Sequence, residues 1–367
     1  MIWIVFFSVL LLAYANGSND NFKGVATLYG SGAASFRLAL GWATLTTLAG
    51  SLLALVLAAG LVKTFSAKGL VPDVVATSPT FLAAAALGTM ATVFLATFLG
   101  LPISTTHALT GALVGAGWVA VGRAVNLTLL GKSFFVPLLV SPLLAMGLTT
   151  VLYPLARFFR RALGVERTMC ICIGTQWVPK PACDGVAVAS QQISITVGTQ
   201  QRCVARYHSS MIGGSVHQAL DGLHFLSAGA VSFARGLNDT PKIFALLLAA
   251  KAVGSEVGLP AIGAAMALGG LLNSRRVAET MAHKITTLEL GQGLVANLTT
   301  AALVLGASRL GVPVSTTHVS TGGLFGIGIV TGKARWRTIA TILTAWGTTL
   351  PLGALLGALA LLTLRRF

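Results

Sequence analysis

Charged residues are scarce in this chain, and acidic residues are the scarcest. Only 9% of its 367 residues are charged, and just nine are Asp or Glu, whereas about a quarter of an ordinary soluble domain is charged. Hydrophobic residues make up 55% of the chain, and the mean hydropathy is +0.84. Composition therefore excludes an ordinary soluble globular protein and predicts an integral membrane protein with several spans.

Sequence signatures of enzymes and metal sites are also missing. No G-x-S-x-G motif is present, and no acid recurs at a fixed spacing from a His, so a Ser/His hydrolase is not expected and the chain is predicted not to be an enzyme. The polar middle of the chain contains four cysteines without a C-x-x-C pair: Cys170, Cys172, Cys183 and Cys203. Neither a metal site nor a bound cofactor is predicted. If the middle segment is cytoplasmic, these cysteines are expected to be reduced thiols.

Long apolar runs dominate the rest of the chain. A hydrocarbon core of roughly 30 Å needs about 20 apolar residues. Runs of sufficient length lie near 38–62, 80–100, 133–156, 240–273, 288–308 and 338–364. These runs are continuous rather than alternating, so they favour an all-α polytopic protein of the cell membrane over a β-barrel. Residues 101–121 fit either a full span or a re-entrant hairpin.

Basic residues outnumber acids and give a formal charge of +16. In a soluble protein this excess would indicate nucleic acid, but in a membrane protein it indicates anchoring at the cytoplasmic face beside the lipids. No nucleic-acid partner is therefore expected. Three clusters carry much of the charge: Arg157, Arg160, Arg161 and Arg167; Arg275, Arg276 and Lys284; and Lys333, Arg335 and Arg337. This pattern predicts a cytoplasmic middle segment.

Two motifs occur in the same order in both halves of the chain. GSND at 17–20 is followed by PISTTH at 102–107, and GLND at 236–239 is followed by PVSTTH at 313–318. This order indicates the duplication of one ancestral unit. Matched polar interruptions in a membrane repeat are typical of secondary transporters, whose sites lie between the repeats.

The repeats define three predicted segments. Residues 1–157 form the first transmembrane repeat, 158–216 a cytoplasmic linker, and 217–367 the second transmembrane repeat. An odd number of crossings in each half would make the repeats inverted, with broken helices or re-entrant hairpins, and would suit alternating access.

The Asn-Asp motifs place carboxylates at membrane depth. An ionised group there costs on the order of 3 kcal/mol and needs a cavity or a partner. Gly17 and Gly236 precede the motifs and are expected to let the helices break. The deepest acids are predicted to serve any coupling cation: Asp20, Asp239 and Glu289.

The Ser-Thr-Thr-His stretches supply hydroxyl groups. Their side chains can cap a helix N-terminus and present donors together with backbone amides, an arrangement suited to a tetrahedral oxyanion. His107 and His318 follow the hydroxyls directly and are expected to orient them, with a proton relay as the alternative.

With these motifs the chain resembles the inorganic phosphate transporter (PiT) family of secondary transporters, in a lysine-containing, prokaryotic-type branch. The resemblance implies an inverted-repeat fold that binds the anion and coupling cations between its halves, and Glu289 matches a family acid. Two features differ from the family pattern. The first half has Thr46 and Thr47 without a matching carboxylate, and a lysine follows each Asp by three residues, Lys23 and Lys242.

A Lys at i+3 lies on the same helix face as its Asp, so ion pairs are expected, with snorkelling to the interface as the alternative. These lysines would occupy the position of sodium in relatives or add positive charge toward the anion. The predicted substrate site comprises Asn19, Asp20, Lys23, Ser104, Thr105 and Thr106, with Asn238, Asp239, Lys242, Ser315, Thr316 and Thr317 from the second half.

The predicted function is secondary transport of inorganic phosphate by alternating access. Coupling to Na⁺, to H⁺ or to neither remains open, as does the oligomeric state, for which a homodimer is one option. The nearest alternative is transport of sulfate or another tetrahedral oxyanion by the same fold. An anion channel is a weaker alternative because it needs a continuous pore lined by rings of charge.

Overall fold

The computed structural model describes residues 1–165, 169–181, 187–207 and 211–366. They form two compact units. The first comprises Met1–Tyr153 and Leu226–Phe367, and the second comprises Pro154–Phe225. The first unit contains both pairs of repeated motifs. The predicted linker, 158–216, lies within the second unit, although Arg167 and Cys183 fall outside the described residues.

Helices account for nearly all regular structure outside the middle segment. They are α1 (Ile2–Asp20), α2 (Ala26–Gly30), α3 (Phe36–Leu52), α4 (Ala54–Leu57), α5 (Ala59–Thr64), α6 (Asp73–Ala76), α7 (Pro79–Phe98), α8 (Thr105–Val121), α9 (Leu127–Leu129), α10 (Val136–Ala162), α11 (Gln200–Tyr207), α12 (Val216–Ala249), α13 (Ser255–Asn273), α14 (Arg275–Glu279), α15 (Leu290–Arg309), α16 (Thr316–Thr331) and α17 (Trp336–Leu364). A 3₁₀ turn covers Gly122–Ala124, and π-helical turns cover Leu130–Phe135 and Thr280–Lys284.

Six helical segments in the described part of the chain are long and apolar enough to cross a membrane. They are Ile2–Asp20, Pro79–Phe98, Leu127–Ala162, Ser255–Asn273, Leu290–Arg309 and Trp336–Leu364. Four coincide with predicted runs, but 38–62 is divided among α3, α4 and α5. The run at 240–273 is divided between α12 and α13 because the chain turns where Lys251 adopts a φ of 51°.

The glycines before the Asn-Asp motifs allow close helix packing rather than a helix break. Helix α1 continues through Gly17 to Asp20, and α12 continues through Gly236 and beyond Asp239. A Cβ on Gly17 would lie 1.9 Å from the carbonyl oxygen of Met266 in α13. The helix-break prediction is therefore wrong at these glycines, because neighbouring backbones approach too closely for a side chain. The first helix does end, but only after Asp20.

The Ser-Thr-Thr-His stretches begin two matched helices, α8 and α16. The Ser104 side chain accepts a hydrogen bond from the His107 backbone N–H at 3.1 Å, and Ser315 accepts one from His318 at 3.2 Å. These serines are N-caps, which satisfy amides that the first helical turn leaves unpaired. The preceding helices, α7 and α15, each end at a turn with a left-handed glycine, Gly100 and Gly311. The helix-turn-helix segments thus correspond in the two halves, while their inverted orientation stays a prediction.

The second unit contains a three-stranded antiparallel sheet with strand order β2-β1-β3. Its strands are β1 (Met169–Pro181), β2 (Ala187–Thr199) and β3 (Met211–Ser215). Cys172 on β1 and Cys203 on α11 form a disulfide, and Cys170 is a buried thiol. The prediction of reduced thiols is wrong for this pair, because the fold brings together cysteines whose pairing their sequence spacing does not reveal.

Candidate anion site

Both Asn-Asp motifs lie buried beside the starts of α8 and α16. Their side chains and the neighbouring polar groups make up what we call the central polar cluster: Asn16, Asn19, Asp20, Lys23, Thr105, Thr106, Arg235, Asn238, Asp239, Lys242 and Thr317. All eleven are buried. The structure therefore brings together residues from both halves that are far apart in the sequence.

Asn19 fixes the loop that leads into α8. Its side-chain nitrogen donates to the Thr97 hydroxyl at 2.9 Å and to the Leu101 carbonyl at 3.1 Å. Its side-chain oxygen accepts from the Ile103 backbone N–H at 3.2 Å. These bonds hold the segment just before the first Ser-Thr-Thr stretch against α1.

Asn238 makes similar contacts in the second half. Its side-chain nitrogen donates to the Val314 carbonyl at 3.2 Å, and its side-chain oxygen accepts from the Ser308 hydroxyl at 3.1 Å. Buried amides need such partners because an unpaired buried polar group costs free energy. Each Asn of the motif therefore links its own helix to the hairpin of its own half.

Asp20 connects α1 with α8. The Thr105 hydroxyl donates to its Oδ2 at 3.1 Å, and the Asn16 side chain donates to the same oxygen at 2.9 Å. Lys23 contacts the other carboxylate oxygen. Asp20 thus has a hydrogen-bonded side and a salt-bridged side, and both are buried.

Each motif lysine pairs with its own Asp and also contacts the opposite half. Lys23 forms an ion pair with Asp20, and the Lys242 Nζ lies 3.6 Å from Asp239 Oδ1. Both ion-pair predictions are confirmed, and burial of both lysines excludes snorkelling.

The contacts between the halves are matched. The Lys23 Nζ donates to the Thr317 hydroxyl at 2.7 Å, and the Lys242 Nζ donates to the Thr106 hydroxyl at 2.8 Å. Sequence reasoning did not find these bonds, because helical spacing predicts contacts within one helix only. They make the second Thr of each stretch a junction between the repeats.

Arg235 belongs to the cluster but was missed in the sequence. Its guanidinium donates to Asn16 at 2.8 Å, to Asn21 at 3.0 Å and to Thr47 at 3.2 Å. Its Nε lies 3.8 Å from Asp239 Oδ2. The available signal was its position: Arg235 precedes the second Asp by four residues, as Asn16 precedes the first.

The cluster has an excess of positive charge. Lys23, Lys242 and Arg235 are buried with only Asp20 and Asp239 as carboxylates. With all five groups ionised, the formal charge is positive by one. Charge excluded from water needs pairing, so this arrangement suits an anion better than an additional cation.

Glu289 does not join the cluster. It is the N-cap of α15, and its backbone N–H donates to the Gln292 side-chain oxygen at 3.0 Å. About half of its side-chain surface is exposed (53%), and Lys333 Nζ lies 3.4 Å from its carboxylate. Glu289 therefore lies apart from the central polar cluster, and its membrane depth and its role toward a coupling cation stay predictions.

The two motif histidines meet each other. The ring centroids of His107 and His318 lie 4.4 Å apart, and those of His318 and Trp346 lie 3.8 Å apart with the rings tilted by 37°. It is the backbone N–H of each His that contacts the motif Ser. Orientation of the hydroxyls by the rings, or proton relay through them, remains a prediction.

A helical membrane protein whose two repeats contribute matched motifs to one buried polar cluster belongs to the class of membrane transporters. Comparison with known proteins identifies the group. The model of the phosphate transporter family matches residues 16–357, and the chain belongs to this family. It is a multi-pass integral protein of the cell membrane.

Named relatives align over almost the whole chain. A Mycobacterium bovis protein named "Probable low-affinity inorganic phosphate transporter" is 29% identical over 98% of this chain and 76% of its own length. A Rhizobium meliloti protein of the same name is 27% identical over 95% of this chain and 92% of its own. A solved structure described as "The sodium-dependent phosphate transporter" has a TM-score of 0.76 and 22% identity, with 100% of this chain and 99% of that one covered. The chain therefore shares its fold.

Proposed function

We propose that this protein carries inorganic phosphate across the cell membrane by alternating access, with the central polar cluster as its substrate site. The observation that carries the proposal is the pair of matched bonds between the halves, Lys23 to Thr317 and Lys242 to Thr106. A site shared in this way changes when one repeat moves against the other, as alternating access requires. The names of the relatives support phosphate as the substrate.

The donor chemistry of the cluster supports an oxyanion. Two ammonium groups and the hydroxyls of Thr106 and Thr317 converge in a buried place. Charge-assisted hydrogen bonds to oxyanions are short and strong, and donors from several directions match a tetrahedral shape. Phosphate can also donate a proton to a carboxylate such as Asp20, whereas sulfate can only accept. Selection of phosphate over sulfate would depend on this difference.

In this mechanism the substrate exchanges places with bonds between the halves. As phosphate enters from one side, its oxygens accept the hydrogen bonds that the lysines otherwise give to the two threonines. The halves then separate on the other side of the site. Asn19 and Asn238 keep each hairpin attached to its own helix during this movement.

Uptake by the purified protein in proteoliposomes tests the proposal. Labelled phosphate should enter and should exchange with unlabelled phosphate inside, since a carrier supports counterflow. Unlabelled sulfate should compete weakly at neutral pH. Asp20→Asn should lower uptake by about tenfold or more, because it removes the partner of a buried ammonium. Asp73→Asn is the matched control, because Asp73 is exposed.

Three results would count against the proposal. Sulfate uptake without phosphate uptake would show that the protein carries sulfate and not phosphate. Large conductance without counterflow would indicate a channel. Equal uptake by Asp20→Asn and the wild type would show that the central polar cluster is not the substrate site.

A further inference from the structure

Lys23 lies in a cage of oxygen atoms that is typical of a bound metal cation. Its Nζ lies 2.7 Å from Asn19 Oδ1, 2.8 Å from the Ile103 carbonyl and 2.7 Å from Thr317 Oγ1, and it also contacts Asp20 Oδ1. An ammonium group has three N–H donors, so four close oxygens exceed what its hydrogen bonds can use. The oxygens surround the Lys23 Nζ as they would surround a small cation of the same charge.

The cage combines several kinds of oxygen. A carboxylate, a side-chain amide, a backbone carbonyl and a hydroxyl all point at one atom. Hard metal cations take this mixture of ligands, and in transporters carbonyls freed from helices coordinate Na⁺. Here the Ile103 carbonyl lies just before the capped start of α8, outside the helical hydrogen-bond ladder, and accepts from both the Lys23 Nζ and the Thr317 hydroxyl.

Lys242 has a related cage in the second half. Its Nζ lies 2.7 Å from the Val314 carbonyl and 2.8 Å from Thr106 Oγ1, with Asp239 Oδ1 at 3.6 Å. The ring of Phe65 lies beside it, with the centroid 5.6 Å from Nζ. Val314 corresponds to Ile103 in the repeat, as Thr106 corresponds to Thr317. Both halves therefore direct a backbone carbonyl, a threonine hydroxyl and an Asp carboxylate at a lysine, and the first half adds the Asn19 amide oxygen.

The charge of the cluster leaves little reason to bind another cation. Both buried carboxylates are already shared among three buried cationic side chains. A further sodium ion would add charge to a cluster that already has a positive excess, in surroundings where charge is poorly screened.

We propose that Lys23 and Lys242 are tethered counter-cations that occupy the positions of a mobile coupling ion, so that transport by this protein does not require Na⁺. This inference rests on the proposed function, and it specifies whether transport through the same site depends on a Na⁺ gradient. Each lysine supplies its positive charge in every transport cycle because it is covalently attached. A sodium-coupled carrier must instead bind that charge from solution.

The first test compares initial rates of phosphate uptake in proteoliposomes with sodium chloride or choline chloride outside. Wild-type rates should be equal in the two salts. Lys23→Ala should lose about tenfold or more of its uptake in choline. Added Na⁺ or methylammonium should restore it along a saturable curve, because either can enter the vacated cage. Lys132→Ala is the matched control, since Lys132 is exposed, and it should match the wild type in both salts.

A second measurement covers variants that fold but do not transport. The melting temperature of detergent-purified Lys23→Ala should rise with Na⁺ relative to choline, because a ligand that binds only the folded state stabilises it. The wild type and Lys132→Ala should show no such difference. Lys23→Met, which keeps most of the side-chain volume, replaces Lys23→Ala if the smaller residue prevents folding.

The outcomes separate the two proposals. A saturable Na⁺ requirement in the wild type would overturn the tethered-cation inference and leave phosphate transport intact. Absence of both rescue and a Na⁺-dependent melting shift in the variants would overturn it as well. Failure of the wild type to carry any oxyanion in either salt would overturn the proposed function, and the melting comparison would still decide whether the cage accepts Na⁺.

Discussion

Thr106 and Thr317 each accept a hydrogen bond from an ammonium group of the opposite half. Valine has nearly the same shape as threonine but cannot accept this bond. We expect Thr106→Val and Thr317→Val each to lower the free energy of unfolding by about 1.5–3 kcal/mol, the usual contribution of a hydrogen bond to a charged group. Uptake should fall with it. Uptake rates and thermal unfolding of the purified variants measure this effect.

Thr110→Val is the matched control for both variants. Thr110 is buried one helical turn after Thr106, and its hydroxyl donates to the Thr106 backbone carbonyl within α8. It should keep wild-type uptake. Loss of uptake in Thr110→Val equal to that in Thr106→Val would mean that any buried hydroxyl of this helix matters, and that the bond between the halves has no special role.

Residue-level prediction from the sequence succeeded where a contact is local. The i+3 spacing indicated both Asp-Lys pairs, and the structure has both. The spacing contains no information on Thr317 as the partner of Lys23, because that contact depends on how the halves pack. Arg235 was missed for the same reason, since its partners Asn16 and Thr47 lie on other helices.

At the scale of helices, the close approach of neighbouring helix backbones depends on glycine at matched positions of the two halves. A Cβ on Gly236 would lie 2.2 Å from the Thr47 carbonyl oxygen in α3, much as one on Gly17 would meet α13. Such a clash with backbone cannot be relieved by rotating a side chain. At these two positions, just before the Asn-Asp motifs, the helix backbone approaches its neighbour with no side chain between them.

We expect Gly17→Ala and Gly236→Ala to destabilise the protein by about 1–3 kcal/mol, the usual cost of overpacking, and to lower uptake by displacing the motifs. Gly41→Ala in α3 is the matched control, because nothing lies within 4 Å of its Cβ position. It should be neutral or stabilising by up to about 1 kcal/mol, since alanine favours helix. Thermal unfolding in detergent measures both effects, and equal behaviour of all three variants would contradict the packing argument.

Helix prediction from apolar runs was accurate where a run is interrupted only at its ends, as in α7, α15 and α17. It failed at 38–62, where neither proline nor charge marks the breaks, and at 240–273, where Lys251 and Gly254 lie between α12 and α13 inside a mostly apolar run. The sequence also did not show that Glu289 is the N-cap of α15 and lies apart from the central polar cluster.

At the scale of the whole molecule, the two repeats differ at the centre of the cluster. Asn16 in the first half occupies the position that Arg235 has in the second, and the two side chains are hydrogen-bonded at 2.8 Å. The duplicated halves are thus chemically distinct where they meet, and the single guanidinium makes the cluster asymmetric.

Exchange of these two residues tests how far the halves are equivalent. Arg235→Asn alone removes a buried cation and Asn16→Arg alone adds one, so each should reduce stability and uptake. The double variant restores the charge count and should recover part of both, with a coupling energy of about 0.5–3 kcal/mol. A double-mutant cycle on unfolding and uptake measures this coupling. Purely additive effects would contradict equivalence of the two positions.

The matched lysine-threonine bonds have a consequence for binding strength. In the structure both ammonium groups already donate to Thr106, Thr317 and the backbone carbonyls beside them. An arriving oxyanion would replace these internal partners instead of satisfying idle donors, so most of the gross interaction energy would cancel in the exchange. The net gain would be small and release correspondingly easy, which favours rapid turnover at abundant substrate over tight capture of scarce substrate.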